Sequence, residues 1–161
     1  MPRIYAKIAA LGLVLPEPPV LPPGVDLPFP WVNVRGDKAF VSGHGPQEPD
    51  GSLSGPFGQV GKDVSVETAK LSARKTALAI LASLQRELGS LERISGWCSV
   101  FGMVNSAPGF DRQPEVINGF SEVILDVFGP EVGKHARSAV GLAALPFGIP
   151  VEIEAELLLA G

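Results

Sequence analysis

The 161 residues, 45 % of them hydrophobic and 19 % charged, carry a formal net charge of −4. That is enough chain for one domain around a single sizeable core, and too apolar a chain for disorder. The acidic balance, with thirteen scattered Lys and Arg, argues against a nucleic-acid partner, which would need clustered basic residues.

Near the amino terminus Ile4, Ile8 and Leu11 fall on one helical face, and Gly12 suits the end of that helix. No run approaches the ~20 apolar residues of a membrane span. The stretch to Leu15 is interrupted by Lys7 and followed by Pro16-Glu17-Pro18-Pro19, not by a leader's cleavage site, so the expectation is a cytoplasmic protein. Prolines, sixteen in all, concentrate between Pro16 and Pro30. Interleaved Val20, Leu21, Val25, Leu27 and Phe29 predict an ordered extended arm able to bury these side chains.

Trp31 to Val34, a turn at Arg35-Gly36-Asp37-Lys38, and Ala39 to Gly43 predict a hairpin. Residues 44 to 64 read as a long loop, a length that usually serves a site or an interface. Ser65 is a natural N-cap for a helix running to about Leu88 and stopping at Gly89. Its stripe of Ala73, Ala77, Ile80, Leu81, Leu84 and Leu88 is ordinary core spacing. A strand is predicted over Ile94 to Val104. It contains the lone Cys98, which excludes an internal disulfide and a Cys-rich zinc site and is expected to be a buried, inert thiol. A second helix, with Pro114 in its first turn, spans about Gln113 to Phe128 and ends at Gly129-Pro130. Val116, Phe120, Val123, Ile124 and Val127 form its apolar face.

The order β-β-α-β-α-β-β describes an α+β sandwich with two helices on one face of a single sheet. One domain is expected over 1–161, with a helix and Pro-rich arm in 1–28 and the core in 29–161. The face without helices must be covered if it is apolar, so a homo-oligomer is expected.

The carboxy-terminal segment holds the candidate chemistry. His135 to Pro146 and Val151 to Ala155 read as two apolar strands joined by a tight turn, with Arg137 entering the first and Glu152 opening the second. An arginine among small and apolar residues must find an anion. Either a structural ion pair or bidentate capture of a substrate carboxylate meets that need. Glu152, Glu154 and Glu156 project from one strand face. For Glu154 and Glu156 a solvated or interfacial polar face is expected. A metal site is not, because the strand spacing does not let three carboxylates chelate one ion. Glu152, brought toward Arg137 by the hairpin, could direct a water molecule and shuttle a proton. His44 is expected to be a loop histidine satisfied by backbone. His135, two residues before Arg137, shares its side of an extended chain and would exert a modest electrostatic influence. No G-x-G-x-x-G or G-K-[ST] pattern opens a helix.

At these residues the chain resembles the RidA family, also called YjgF or L-PSP. The resemblance rests on Ala136-Arg137-Ser138-Ala139-Val140, Ala144-Leu145-Pro146, Val151-Glu152-Ile153-Glu154-Ala155 and Phe40-Val41-Ser42-Gly43, and it covers most of the chain from about Phe29 onward. The arm and Val104-Asn105-Ser106-Ala107-Pro108-Gly109-Phe110 are similar to a longer bacterial subgroup of poorly defined function. The resemblance implies a chorismate-mutase-like fold assembled as a homotrimer, with ligand clefts between subunits and no metal or organic cofactor. It also implies hydrolysis of reactive 2-imino and 2-enamino acids to 2-oxo acids and ammonia. Arg137 would clamp the substrate carboxylate and Glu152 would position or activate water. Gly43 would line the cleft through its backbone, and Asn118 matches an asparagine on the second helix. The family's cleft tyrosine falls on Phe29, and a position that is often cysteine is Ala139, so the pocket would be more apolar. The alternative function is a non-catalytic trimer that binds or senses a 2-oxo acid. The endoribonuclease activity attached to the family name is disfavoured by the acidic balance and a missing His/Lys pair.

Overall fold

The computed structural model describes residues 2–161. Helix α1 (Arg3–Ala10) docks through buried Ile4 and Ile8. Glu92 accepts the Ile4 N–H at 2.5 Å, and the Tyr5 hydroxyl donates to Gln85 while accepting the Leu91 N–H at 2.9 Å. Leu11 was expected on this buried face but lies exposed, because the helix ends at Ala10 and Gly12 turns the chain away at φ 64°. In the proline-rich arm Val20, Leu21, Val25 and Phe29 also stay exposed, contrary to expectation. Proline offers no N–H, so the arm is fastened where other residues supply one. Glu17 N–H reaches the Pro49 carbonyl at 2.9 Å and Val20 N–H reaches Gly51 at 3.0 Å.

Strands β1 (Val32–Arg35) and β2 (Lys38–His44) form the predicted hairpin. The loop that follows is braced by single bridges from Val60 to Val64 and to Ser106, and Val60 and Val64 are buried. Ser65 caps α2 (Val66–Leu88) by accepting the Thr68 N–H at 3.2 Å, and Gly89 closes it in the left-handed region. Strand β3 (Ile94–Asn105) follows a single 3₁₀ turn at Leu91–Arg93. Helix α3 (Gln113–Gly133) opens on Pro114; its regular path breaks at Gly129, as predicted, and one more turn follows Pro130. Strands β4 (Ala136–Leu142) and β5 (Val151–Leu159) complete an α+β fold of five strands.

The sheet order is β1-β2-β5-β3-β4, antiparallel except for the parallel β3–β4 pair. β4 and β5 are therefore not the hairpin that the sequence suggested. β4 is set beside β3 by the α3 crossover, which makes the pair parallel. The chain then crosses a 3₁₀ turn at Pro146–Gly148 and enters on β3's other side.

Along β5 Val151, Ile153, Ala155, Leu157 and Leu159 are buried while Glu152, Glu154, Glu156 and Leu158 point the other way. The buried set meets α2 and α3 around fully enclosed Phe120, Ile80, Leu81 and Leu84. Trp97 lies edge-on to Phe120 and Phe128, with centroids 5.9 and 5.6 Å apart. The two helices pack tightly at Gly119, where an added Cβ would lie 2.1 Å from the Lys70 carbonyl oxygen.

On the face away from the helices Phe40, Phe101, Val140 and Leu158 are each more than one-third exposed. Cys98 is half-buried, not enclosed as expected. Among the described residues no helix is long and apolar enough to cross a membrane.

Candidate carboxylate-binding site

Arg137 pairs in register with Val100 of β3. Val100 is buried beneath the helices, so strand alternation turns Arg137 toward α3 at the edge of the sheet. There Nη1 donates to Asn118 Oδ1 at 2.8 Å and to Ser121 Oγ at 3.1 Å, and Nη2 donates to the Pro114 carbonyl at 3.3 Å. None of the ion pairs among the described residues involves Arg137. Of the two expectations for this residue, the internal ion pair is absent. The guanidinium is oriented by three neutral acceptors and keeps an uncompensated charge. Partial burial lowers its pKa, meaning that the charged form would gain from an anion.

Glu152 pairs in register with Met103, which packs with Leu145 and Ile149 in a small apolar cluster. Its carboxyl is half-buried and its pKa is raised, by burial first and by Glu154 second. Neighbouring β2 slips register here. Val41 opposes Ala155 and His44 opposes Ile153, so Ser42 and Gly43 bulge opposite Glu154. A Cβ at Gly43 would lie 2.5 Å from Glu152 Oε2. Glycine there lets the carboxylate lie against bare backbone.

One chain does not bring all the predicted residues together. Arg137, Asn118 and Ala139 gather on the helix side at the β4 edge. Glu152 and Gly43 meet on the other face, with β3 between their strands. Phe29 is half-exposed at the end of the arm, edge-on to Trp31 at 6.3 Å. It lines a groove of about 670 Å³ together with Phe40, Ser42, Phe101, Arg137 and Glu154. Glu156 pairs with Lys38 at 2.7 Å and Glu154 is exposed. Both belong to the polar face expected of them. Among the described residues no three His, Cys, Asp or Glu groups are placed to hold a metal ion.

No protein-family model matches the chain. Protein TCP17 of Trypanosoma cruzi is 38 % identical over 153 residues, covering 95 % of this chain and 92 % of that protein. A solved structure of a candidate endoribonuclease from Shewanella oneidensis MR-1 is 25 % identical with a TM-score of 0.87, covering 98 % and 100 % of the two chains. The YjgF gene product of E. coli, at 18 % identity, shares the fold with a TM-score of 0.60 over 90 % and 97 %. The chain belongs to the YjgF/L-PSP family.

Two features of this YjgF/L-PSP chain went unread in the sequence. Ser121 is the second side-chain acceptor for Arg137, and the Pro114 carbonyl is the third acceptor. A signal for Ser121 was present: it lies three residues after Asn118, so both fall on one face of α3. His135 joins the same cluster through Ser121, with Nε2 2.9 Å from Oγ. Ala139 pairs with Gly102 and packs against the main core.

His44 ends β2 and is not in a loop as expected. It is buried against Trp31, with Nδ1 2.6 Å from the Ser42 carbonyl and Nε2 2.8 Å from Ser83 Oγ. The first bond pins the residue that opens the Gly43 bulge. Burial lowers its pKa from 6.5 to about 4, helped by Arg86 and opposed by the Ser42 bond. Between those values the unfolded chain binds the proton and the folded chain does not. Stability therefore falls as pH drops through that window, by about 3 kcal/mol in all for this group. Urea midpoints at pH 7 and pH 4.5 should lie further apart in the native protein than in His44→Asn. Equal acid sensitivity of the two proteins would remove His44 as the source.

Proposed function

We propose that the protein hydrolyses 2-imino and 2-enamino acids to 2-oxo acids and ammonia in clefts between the subunits of a homotrimer. The observation that carries this reading is the Arg137 guanidinium, oriented by neutral acceptors and paired with no carboxylate. Its fork suits a planar carboxylate, and a bound ligand supplies the missing anion. The exposed apolar face bearing Phe40, Phe101, Val140 and Leu158 supports association. In such an assembly Arg137 and Asn118 of one protomer face Glu152 of the partner subunit, with Phe29 and Ala139 as apolar walls and Gly43 lining the cleft through its backbone.

The chemistry follows from these placements. Arg137 holds the substrate carboxylate and presents the adjacent C=N carbon. Glu152 takes a proton from water as the oxygen bonds to the carbon of the protonated imine, giving a tetrahedral carbinolamine. The carboxyl returns that proton to nitrogen and then takes the hydroxyl hydrogen as the C–N bond breaks, so that the 2-oxo acid forms and ammonia leaves, carrying the last proton away as ammonium. For an enamine the protonated carboxyl first donates to C3. A half-buried carboxyl with a raised pKa suits both directions of transfer, because its protonated and ionised forms lie closer in energy near neutrality.

A coupled assay in which an amino-acid oxidase generates the imine tests this directly. The native protein should accelerate imine loss above the buffer rate. Glu152→Gln should lower kcat about a hundredfold or more, because an amide cannot accept the proton. Native protein that binds 2-oxobutanoate yet leaves the buffer rate unchanged would replace catalysis with ligand binding alone.

A further inference from the structure

The acceptors around Arg137 are themselves ordered by a histidine. His135 Nδ1 lies 2.7 Å from the Gly133 carbonyl, and Nε2 lies 2.9 Å from Ser121 Oγ. A carbonyl only accepts, so Nδ1 carries the hydrogen, and a neutral ring then leaves Nε2 as an acceptor. The Ser121 hydroxyl donates its one hydrogen to Nε2. Its lone pairs are left for Arg137 Nη1, 3.1 Å away. Phe120 stands edge-on to the imidazole, with centroids 6.3 Å apart. Every hydrogen in the chain Gly133–His135–Ser121–Arg137 has one place to go.

A proton on His135 undoes that order. Nε2 would then also donate to Ser121 Oγ, so one oxygen would face two cations and its own hydrogen would lose its partner. The groups acting on His135 favour the neutral ring. Burial disfavours its charge most, the Gly133 bond opposes this, and Arg137 is the charged group that adds to it.

We infer that His135 and Ser121 are positioning residues for the ligand carboxylate: the neutral imidazole aligns Ser121, Ser121 aligns the Arg137 fork, and a proton on His135 loosens it. The inference rests on Arg137 as the carboxylate clamp proposed above. Neither residue touches the ligand, so both act through the arginine.

The test uses the full chain, with 2-oxobutanoate as the probe in calorimetry from pH 5 to pH 8 alongside the coupled imine assay. Ser121→Ala should weaken 2-oxobutanoate binding and raise KM about tenfold, with kcat close to native, because orientation of the clamp serves ground and transition states alike. Ser121→Thr restores the hydroxyl and should recover most of the loss. Native binding should weaken in acid, at a pH below the ordinary imidazole value because burial holds off the proton on His135. His135→Gln keeps an acceptor for Ser121 but does not titrate, so its profile should be flatter than native over that range. Nitrogen-detected NMR of the free protein at pH 7.5 should find the His135 hydrogen on Nδ1. The inference is overturned if Ser121→Ala binds as native, if the native and His135→Gln pH profiles coincide, or if the hydrogen sits on Nε2. Failure of native protein to bind 2-oxobutanoate at any pH would instead overturn the clamp itself, which separates the two readings.

Discussion

Arg137→Ala is expected to cut kcat/KM for an oxidase-generated imino acid by about a hundredfold to ten-thousandfold, with little change in stability. The magnitude follows from two charge-assisted hydrogen bonds to a carboxylate, each worth about 1.5–3 kcal/mol. The fold should tolerate the change because the guanidinium is only half-buried at a sheet edge, where water can reach the acceptors that it leaves. Those acceptors are neutral, so removing the cation strands no buried charge. Arg137→Lys separates charge from geometry: an ammonium keeps the attraction but cannot bond Asn118, Ser121 and a carboxylate in one plane. Its activity should fall between native and alanine, with most of the loss in KM. Steady-state rates and thermal melts on the same preparations decide the matter. An alanine variant as active as the native protein would remove Arg137 from the reaction.

Gly119→Ala should lower stability by about 2–3 kcal/mol, or roughly 5–10 °C in Tm. Alanine is the better helix former by about 1 kcal/mol, so intrinsic propensity points the other way. Packing wins because the added methyl would sit 2.1 Å from the Lys70 carbonyl oxygen, a backbone atom that no rotamer change can move. Relief requires α2 and α3 to separate, and both carry fully buried side chains of the same core. Gly119 also lies between Asn118 and Ser121, so α3 cannot shift without moving the acceptors of Arg137. A melt that rises in Gly119→Ala, at matched protein concentration, would show that the helices have slack there.

Periodicity carried most of the fold. The caps at Ser65 and Gly89, the stripe on α2, the break of α3 at Gly129 and the alternation along β5 stand where local chemistry put them. These features depend on residues within a few positions of one another. The arm and Leu11 were misread for the same reason in reverse: an apolar side chain is buried only if some other element covers it, and spacing along the chain does not say which one does. The site was legible as residue types and not as an arrangement. Arg137, Asn118, Gly43 and Glu152 were named, yet adjacency in sequence implied a hairpin where β3 in fact intervenes. Ser121 and His135 became partners of Arg137 only once α3 lay across the β4 edge.

By itself the sequence decided which segments are helix or strand, which face of each is apolar, and that an arginine and a carboxylate stand near the ends of the last two strands. Tertiary structure alone decided strand order, and with it the side of the sheet on which each charged group emerges. Pairing is a long-range choice governed by crossover geometry and the burial of whole faces. Within one chain that choice sets Arg137 against three neutral acceptors and Glu152 against bare backbone on the opposite face.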